Sequence, residues 1–526
     1  MRIHLAIAIP LVLAVENHPV VSSTSGDIIG HRAPGQSGTV EFLGIKYGEA
    51  PIGDLRFAAP VRYQAPAGTV YNASRFNADC PANIPPRTTF PNFTRNGLAI
   101  YSKFTAQNNN TQSEDCLALN IWTKSPRDCG KSNKPVFIFF HGGRFTIPGP
   151  NSQFYNGKYL ADAEDVVVVT ISYRLGIFGF PGAPGVEQNA ALLDQRSAVE
   201  WVRDNIANFG GDPLRIIIFG QSAGGSSVDY WSYAYRSDPI IAGHISHSGT
   251  AFSFVPNEPS YSQSLFYNVS GTLGCGNTSI PPEEVIACVR SAPVSALLAA
   301  ARIVPPLPSP ALSQAAFHPT IDNITVFPLS TYTSLSQNGS FAPIPYLAGN
   351  ADYEAGFYRI SAFNANRSLT NEQWDLFNQR AFTCPTKYAT DARVRAGVPT
   401  WRYRYVADFE NLRLYDASNG FPDSGAYHGV ELSLLFGTTG DVTGQADSEA
   451  QERTRRYLQG AWAAFARDPM RGLDGYGWPG YGLQTEGLVL LGDGEQEVPR
   501  FVAPEEFDGP CPAVEENDPV PGRGAF

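Results

Sequence analysis

Short, nearly continuous apolar runs alternate with segments of helical periodicity in the first half of the chain. Three such runs, at residues 136–140, 166–173 and 216–219, each end in a glycine-rich or polar turn. Between the last two runs, residues 190–208 carry apolar side chains at helical spacing. Strands that are covered on both faces have continuous apolar sequences of this kind. The pattern therefore predicts an α/β fold with a large, mostly parallel central sheet and helices on both faces.

Outside this region the pattern predicts fewer regular elements. Residues 37–47 alternate as an early strand does, 346–348 are strand-like, and 449–467 have the periodicity of a helix. The stretch between Cys80 and Cys116 is polar and rich in Pro and Asn, which predicts a loop. We expect a single domain over residues 16–526, with an acidic, extended tail from about residue 505.

The N-terminal residues resemble a secretory signal peptide. Arg2 and His4 precede an apolar stretch at residues 5–15, with the small Ala14 near the expected cleavage point. The stretch is too short to span a bilayer; a buried strand is the alternative. We therefore predict a signal peptide over residues 1–15 and a secreted protein without a stable membrane anchor.

Glycosylation motifs agree with export. Eight Asn-x-Ser/Thr sequons occur in the chain. Their asparagines are Asn72, Asn92, Asn109, Asn268, Asn277, Asn323, Asn338 and Asn366. So many sequons predict a secreted glycoprotein.

The chain has seven cysteines, an odd number that predicts disulfides and one leftover thiol. Spacing alone does not fix their connectivity, although Cys80 with Cys116 and Cys275 with Cys288 are reasonable local pairs. The remaining Cys129, Cys384 and Cys511 allow at most one further bridge. No Cys or His pair has metal-ligand spacing, so we expect no metal site.

The composition and net charge of the chain disfavour one class of binding partner, nucleic acid. The 526 residues are 43% hydrophobic and carry a net charge of −11, with no cluster of Lys and Arg to offset it. This balance argues against nucleic acid as a partner.

Ser222 lies at the centre of a Gly-x-Ser-x-Gly motif with Gly220 and Gly224. The motif directly follows the apolar run 216–219 and precedes a helix start made of small residues. That is the strand–turn–helix setting of a nucleophile elbow, in which the serine hydroxyl projects from a tight turn. A plain glycine-rich loop is the alternative, and the preceding Phe-Gly-Gly at 209–211 favours the elbow.

A serine nucleophile needs a base and an acid that orients the base. Of the eight histidines, we select His428, which lies in a late turn opening into a helix. In α/β-hydrolases the order along the chain is serine, acid, histidine, so the acid is expected between residues 222 and 428. Glu354, after the strand-like residues 346–348, is the candidate, and Asp352 is its close rival.

Acyl transfer also needs donors for the developing oxyanion. The run His141-Gly142-Gly143-Arg144 supplies one set of rigid backbone N–H groups, and Ala223, directly after the nucleophile, supplies another. A plain turn is the alternative for the glycine pair.

With these residues in place, the chain resembles the type-B carboxylesterase/lipase family, the cholinesterase-like branch of the α/β-hydrolases, from about Gly44 to about Gly437. Besides the elbow, the stretches that carry the resemblance are Gly-Ile-Lys-Tyr at 44–47, Gly-Asp-Leu-Arg-Phe at 53–57, Ser-Glu-Asp-Cys-Leu-Ala-Leu-Asn-Ile at 113–121, Tyr-Arg-Leu-Gly-Ile-Phe-Gly-Phe at 173–180 and Leu-Asp-Gln at 193–195.

The resemblance implies roles for particular residues. It implies a Ser222–His428–Glu354 triad and an oxyanion hole formed by the N–H groups of Gly143, Arg144 and Ala223. It further implies four structural pairs: the bridges Cys80–Cys116 and Cys275–Cys288, and the ion pairs Arg56–Glu114 and Arg174–Asp194.

Four features depart from the family pattern. Arg144 replaces a small residue in the oxyanion turn, where its side chain narrows the acyl side or binds an acidic group of the substrate. Gln221 stands where cholinesterases have an acid, and the segment between Cys80 and Cys116 has no Trp. A quaternary-ammonium site needs an aromatic face and nearby negative charge, so cholinesterase activity is disfavoured. Ala118 replaces an aromatic residue.

These observations predict a secreted, monomeric serine carboxylesterase that needs no metal or cofactor and acts on a small-molecule or lipid ester. One alternative is a lipase or sterol esterase with a lid between Cys80 and Cys116. Another is a non-catalytic adhesion protein, which the presence of Ser222, His428 and Glu354 disfavours.

Overall fold

The computed structural model describes residues 18–35, 38–86, 88–106, 110–124, 133–304, 315–418, 422–482, 486–493 and 499–511. The predicted signal peptide, Asn109, Cys129 and residues 512–526 of the predicted tail lie outside the described residues.

The strands are Val20–Ser23 (β1), Gly26–Ile29 (β2), His31–Arg32 (β3), Thr39–Lys46 (β4), Val70–Asn72 (β5), Ala118–Lys124 (β6), Lys134–Phe140 (β7), Val167–Ile171 (β8), Gly211–Gln221 (β9), Gly243–His247 (β10), Tyr346–Ala351 (β11), Thr400–Tyr405 (β12), Leu488–Leu491 (β13) and Arg500–Val502 (β14).

The α-helices are Arg95–Phe104 (α1), Lys158–Glu164 (α2), Gly176–Gly179 (α3), Ala190–Asn205 (α4), Ala223–Ala234 (α5), Pro259–Thr272 (α6), Pro282–Ser291 (α7), Val294–Ile303 (α8), Leu329–Gln337 (α9), Ala355–Asn364 (α10), Asn371–Asn378 (α11), Cys384–Arg395 (α12), Glu431–Leu435 (α13), Thr439–Thr443 (α14), Glu449–Arg467 (α15), Gly472–Tyr476 (α16) and Glu505–Asp508 (α17).

Eleven strands of the described residues form one sheet, in the order β14-β13-β12-β11-β10-β9-β7-β8-β6-β4-β3. The seven strands from β13 to β8 pair in parallel, whereas β14 at one edge and β6, β4 and β3 at the other pair antiparallel. A separate small sheet contains β1, β2 and β5. This topology confirms the predicted α/β fold with a mostly parallel central sheet.

Alternate residues of the central strands contribute to two different cores. In β7, Val136, Ile138 and Phe140 pack into a core with residues of α4, α5 and α12. Phe137 and Phe139 of the same strand pack into a second core with residues of α2, α10 and α15. Because successive side chains of a strand point to opposite faces, helices cover both faces of the sheet, as predicted.

The polar stretch between Cys80 and Cys116 was predicted as a loop, but it contains the helix α1. Thr94 caps this helix by accepting a hydrogen bond from the backbone N–H of Gly97. Ile100 and Tyr101 on its inner face are buried. The prediction was wrong for residues 95–104, because it rested on the average composition of the stretch and not on the spacing of the apolar residues within it.

The C-terminal tail also differs from the extended chain that was predicted. Residues 505–508 form α17, and Asp508 makes a buried ion pair with Arg402 of β12. A disulfide joins Cys511 to Cys384 at the start of α12. These two attachments, which are distant in sequence, hold the first part of the tail against the sheet.

The other two disulfides, Cys80–Cys116 and Cys275–Cys288, are those that the resemblance implied. Both implied ion pairs also form: Arg56 Nη2 lies 2.6 Å from Glu114, and Arg174 Nη2 lies 2.7 Å from Asp194. All four of these charged side chains are nearly buried, so each pair ties separate loops together rather than facing solvent.

Within the described residues, no single helix has both the length and the apolar character needed to cross a membrane. Helices α7 and α8 meet that requirement only as a pair, with a bend of 117° between them.

Candidate active site

Ser222 lies in the tight turn between β9 and α5. Its backbone adopts φ 58° and ψ −121°, a left-handed conformation that a non-glycine residue rarely takes. The N–H of Ser222 donates to the carbonyl oxygen of His247 on the neighbouring strand β10, at 2.8 Å. The side chain is therefore displayed at the carboxyl end of the parallel strands, where ligands bind in open α/β sheets.

The glycines beside Ser222 are required by close packing. A Cβ at Gly224 would lie 1.9 Å from the carbonyl oxygen of Phe140, the last residue of β7. A Cβ at Gly220 would lie 2.4 Å from the carbonyl of Gly224. Strand and helix can approach this closely only without side chains, which is the physical reason for the Gly-x-Ser-x-Gly spacing.

Glu354 lies directly before α10, just beyond the end of β11, and is fully buried. Its Oε1 accepts hydrogen bonds from the N–H of Ala351 and the hydroxyl of Ser248, both at 2.6 Å. Its Oε2 contacts Nδ1 of His428. The rival Asp352 is instead paired with Arg404, at 2.6 Å, and its side chain is 44% exposed. Of the two acids, the structure brings only Glu354 to the histidine.

His428 is buried in the turn before α13, with its ring against Phe382 and Tyr358 at centroid distances of 5.0 and 5.1 Å. Since Nδ1 faces the carboxylate of Glu354, that nitrogen carries the proton and Nε2 is free to accept one. A hydrogen bond from the hydroxyl of Tyr358 reaches this Nε2 at 3.3 Å.

The Tyr358 hydroxyl also lies near Ser222 and Arg144. Burial raises the pKa of Tyr358, and the positive charge of Arg144 and a hydrogen bond with Ser222 oppose that rise. The phenol is therefore protonated at neutral pH and can donate. Glu354 thus contacts one ring nitrogen of His428, and the hydroxyl of Tyr358 contacts the other.

The predicted oxyanion donors lie in a glycine turn next to Ser222. A Cβ at Gly142 would lie 3.1 Å from Cβ of Ser222, so the glycine turn adjoins the nucleophile. The N–H groups of Gly143 and Arg144 bond to no acceptor in the described part of the chain. Ala223 is the first residue of α5, where an N–H has no partner within the helix.

Comparison with known proteins identifies relatives of this chain among ester hydrolases. A family model described as the carboxylesterase family matches residues 17–375. The chlorogenic acid esterase of Aspergillus niger is 32% identical over 511 residues, which cover 94% of each chain. The secreted lipase 5 of Gibberella zeae is 31% identical and covers 90% of this chain and 89% of its own. The acetylcholinesterase of Bungarus fasciatus is 28% identical, with 90% and 82% covered.

The chain belongs to the carboxylesterase family. It is a carboxylic ester hydrolase with an α/β-hydrolase fold, as the sequence predicted. In the described part of this carboxylesterase, no three His, Cys, Asp or Glu side chains gather as a metal site would require.

Arg144 gives the oxyanion turn of this carboxylesterase an unusual side chain. Its backbone is left-handed, with φ 57°. The guanidinium carbon lies 5.3 Å from the ring centroid of Tyr358, and Nη2 donates to the hydroxyl of Ser361 at 3.3 Å. The side chain is half-buried, so a cation faces the region beside His428.

Gln221, the residue before the nucleophile, is completely buried. Neither its Oε1 nor its Nε2 has a hydrogen-bond partner among the described residues. A Cβ at Gly142 would lie 2.8 Å from Oε1, and one at Gly429 would lie 3.2 Å from Nε2. The amide therefore lies between the oxyanion turn and the histidine turn, with its hydrogen-bonding capacity unused.

Four of the histidines that were not selected, His141, His244, His247 and His318, are buried. Burial lowers the pKa of His141 to about 4, and its ring stacks on Tyr173 at a centroid distance of 4.2 Å. Burial also lowers the pKa values of His244 and His318. His247 accepts a hydrogen bond at Nε2 from Trp462, at 3.1 Å, and donates from Nδ1 to the hydroxyl oxygen of Tyr403, at 2.8 Å.

Sequence reasoning missed Tyr358, Ser361 and Ser248. Tyr358 and Ser361 lie four and seven residues after Glu354, a spacing that places side chains on one face of a helix. With Glu354 chosen as the acid, this helical spacing was the sequence signal that could have identified Tyr358 and Ser361. Ser248 follows β10, the strand beside the nucleophile strand, and only its place at the same sheet edge could have indicated it.

Proposed function

We propose that this carboxylesterase hydrolyses esters through an acyl-enzyme on Ser222, with His428 as base and Glu354 as orienting acid. The contact of Glu354 Oε2 with His428 Nδ1, together with a serine in an elbow, supports the proposal. It fixes the tautomer of His428 in which Nε2 accepts a proton.

In the first step His428 Nε2 takes the hydroxyl proton of Ser222, and Oγ bonds to the ester carbonyl carbon. The carbonyl oxygen becomes negative and is stabilised by the N–H groups of Gly143, Arg144 and Ala223. His428 then gives its proton to the alkoxy oxygen as the C–O bond breaks, and the alcohol leaves. Water repeats the sequence on the acyl-enzyme and releases the carboxylic acid.

We infer that the protein is a secreted, monomeric glycoprotein. Three disulfides form among the described residues, which is typical of an oxidising compartment. The asparagines of seven sequons are described, and all seven are exposed and accessible to glycosylation. A glycosidase-sensitive mass in the culture medium, together with a monomer in size-exclusion chromatography, would support this inference.

The test of the mechanism is steady-state hydrolysis of p-nitrophenyl esters from acetate to palmitate. Ser222→Ala should abolish turnover at every chain length. Ser226→Ala is the matched control, because Ser226 lies one turn later in α5 and bonds to the carbonyl of Thr250. An organophosphonate should label the wild type and the control but not Ser222→Ala. A fully active Ser222→Ala would refute the mechanism, and an unlabelled, inactive wild type would favour a non-catalytic binding protein.

A lipase is the second candidate, and helix α1 favours it. Phe104 at the end of α1 contacts Phe357 and Phe154 at centroid distances of 5.2 and 5.3 Å. Phe357 in turn lies 6.2 Å from the ring of His428. A helix with an aromatic inner face beside the catalytic histidine is suited to be a lid. A jump in activity when a long-chain ester forms an emulsion would favour the lipase, and smooth saturation would favour the esterase.

A further inference from the structure

We propose that Arg144 binds a carboxylate of the substrate, so that the preferred esters of this enzyme carry a negative charge near the scissile bond. This inference rests on the proposed function, since it places the substrate beside Ser222. It names the chemistry of the substrate, a carboxylate in either the acyl or the alcohol part.

Arg144 forms no ion pair with an acidic side chain of the described residues. Among the described residues, the contacts of its side chain are the hydroxyl of Ser361 and the ring of Tyr358, and neither carries a negative charge. A guanidinium has five N–H donors in a rigid fork, and the bond to Ser361 uses one. The remaining donors match the two oxygens of a carboxylate.

The residues near Arg144 are polar but uncharged. Burial raises the pKa of Tyr101, whereas the positive charge of Arg144 and a hydrogen bond with Ser361 oppose that rise. Arg144 donates to the hydroxyl of Ser361 and lies near Tyr101, and these three residues are here called the Arg144 cluster. The cluster contains hydroxyls and a cation but no carboxylate, which is the composition of an anion site.

The guanidinium of Arg144 lies close to the catalytic histidine of the proposed mechanism. The ring under the guanidinium belongs to Tyr358, whose hydroxyl lies 3.3 Å from Nε2 of His428. A group bound by Arg144 is therefore next to the reacting atoms. The protein as a whole carries a charge of −11, which repels anions, so a local cation is the feature that would make an anionic ester a good substrate.

The backbone at Arg144 agrees with a functional role. Its φ of 57° lies in the region that favours glycine, and a long side chain there costs conformational energy. Strained residues of this kind cluster at ligand sites. Arg144 is held in place by the turn, in which the N–H groups of Thr146 and Ile147 both donate to the carbonyl of Gly143.

The experiment compares matched charged and neutral esters. The acyl-side pair is mono-4-nitrophenyl adipate and its methyl-capped counterpart; the alcohol-side pair is 4-acetoxybenzoate and its methyl ester. The readout is the ratio of kcat/KM for the charged over the neutral member of each pair. A ratio cancels any change that a substitution causes in the oxyanion turn itself.

In Arg144→Gln the ratio should fall about 10- to 100-fold for at least one pair, the range for a charge-assisted hydrogen bond. The pair that responds identifies the side that carries the carboxylate. Arg144→Lys should keep part of the ratio, because the charge remains without the planar fork. Arg456→Gln is the matched control, since Arg456 is exposed on α15 and paired with Glu452.

Ratios that change less than about 2-fold in Arg144→Gln for both pairs would overturn the inference. Ser361→Ala leaves the turn intact and removes the hydroxyl that orients the guanidinium, so it should lower the same ratio several-fold. If the Arg144 variants do not fold, Ser361→Ala decides the question. Unchanged ratios in an enzyme that still depends on Ser222 would refute only this inference, whereas hydrolysis by Ser222→Ala would refute the proposed function.

Discussion

The hydroxyl of Tyr358 lies 3.3 Å from Nε2 of His428, the nitrogen that must take the proton of Ser222 in the proposed mechanism. The same phenol lies near Ser222. In the free enzyme, Tyr358 therefore competes with the nucleophile for its base. The arrangement holds His428 in one orientation, and substrate binding must release the Tyr358 bond before proton transfer.

The first prediction concerns this competition. Tyr358→Phe removes the hydroxyl, and the rate at which a phosphonate labels Ser222 should rise about 2- to 10-fold, the net value of one neutral hydrogen bond. The labelling rate is measured from the loss of esterase activity in samples that are withdrawn at successive times after the phosphonate is added. Tyr71→Phe is the control, because it removes a phenol that donates to the carbonyl of Gly44 and belongs to neither proposed site. Slower labelling would show that Tyr358 assists the base instead.

The second prediction separates the two candidate acids. Glu354→Gln should lower kcat roughly 10,000-fold, because an amide at this position favours the wrong tautomer of His428. Asp352→Asn should change kcat by only a few-fold, since Asp352 is paired with Arg404 away from the histidine. If Asp352→Asn were the more damaging change, the assignment of Glu354 would be wrong.

The third prediction concerns the buried amide of Gln221. A buried polar group without a partner lowers stability by about 1–3 kcal/mol. Gln221→Met has a similar length and no hydrogen-bonding group, so the midpoint of thermal unfolding should rise. If the free amide serves the substrate, kcat/KM should fall in the same variant. A lower unfolding midpoint would instead show that bound water satisfies the amide in the folded protein.

The fourth prediction concerns acid stability. Burial and the positive charge of Arg393 hold the pKa of His244 well below its ordinary value of about 6.5. The unfolded state therefore binds one more proton than the folded state as the pH falls below about 6.5. Stability is lost in that direction, by about 1.4 kcal/mol per pH unit for each such group.

Urea unfolding between pH 7 and pH 5 measures this loss. His244→Phe keeps a ring against Tyr346, which lies at a centroid distance of 4.5 Å, and removes the titrating nitrogens. The slope of the unfolding free energy against pH should decrease by up to about 1.4 kcal/mol per pH unit, which corresponds to one proton. Equal slopes in His244→Phe and the wild type would contradict the burial argument.

The fifth prediction concerns the C-terminal attachment. Replacing both Cys384 and Cys511 by Ser removes a bridge that spans 127 residues, and the unfolding free energy should fall by about 2–5 kcal/mol. Activity at low temperature should persist, because neither residue belongs to the proposed site. Cys129→Ser is the control and should not change stability, if Cys129 is the one free thiol. Thiol titration of the denatured wild type should then find a single reactive cysteine.

The sequence by itself determined the sheet, the elbow and the choice of histidine. Continuous apolar runs with intervening helical periodicity identify buried parallel strands, because only strands covered on both faces have such sequences. The Gly-x-Ser-x-Gly spacing identifies Ser222, since the close packing of β9, α5 and Phe140 leaves no room for side chains. These features depend on residues that are close together in the chain, so they can be recognised from the local sequence.

Only the tertiary structure decided which groups meet. Glu354 and Asp352 are equivalent in sequence, and the turn after β11 directs one to His428 and the other to Arg404. The pairing of Cys384 with Cys511 likewise joins segments 127 residues apart. Tyr358 and the Arg144 cluster also arise from the contact of α1, α10 and the oxyanion turn. Contacts between distant segments depend on how whole elements pack, which no local pattern of residues encodes.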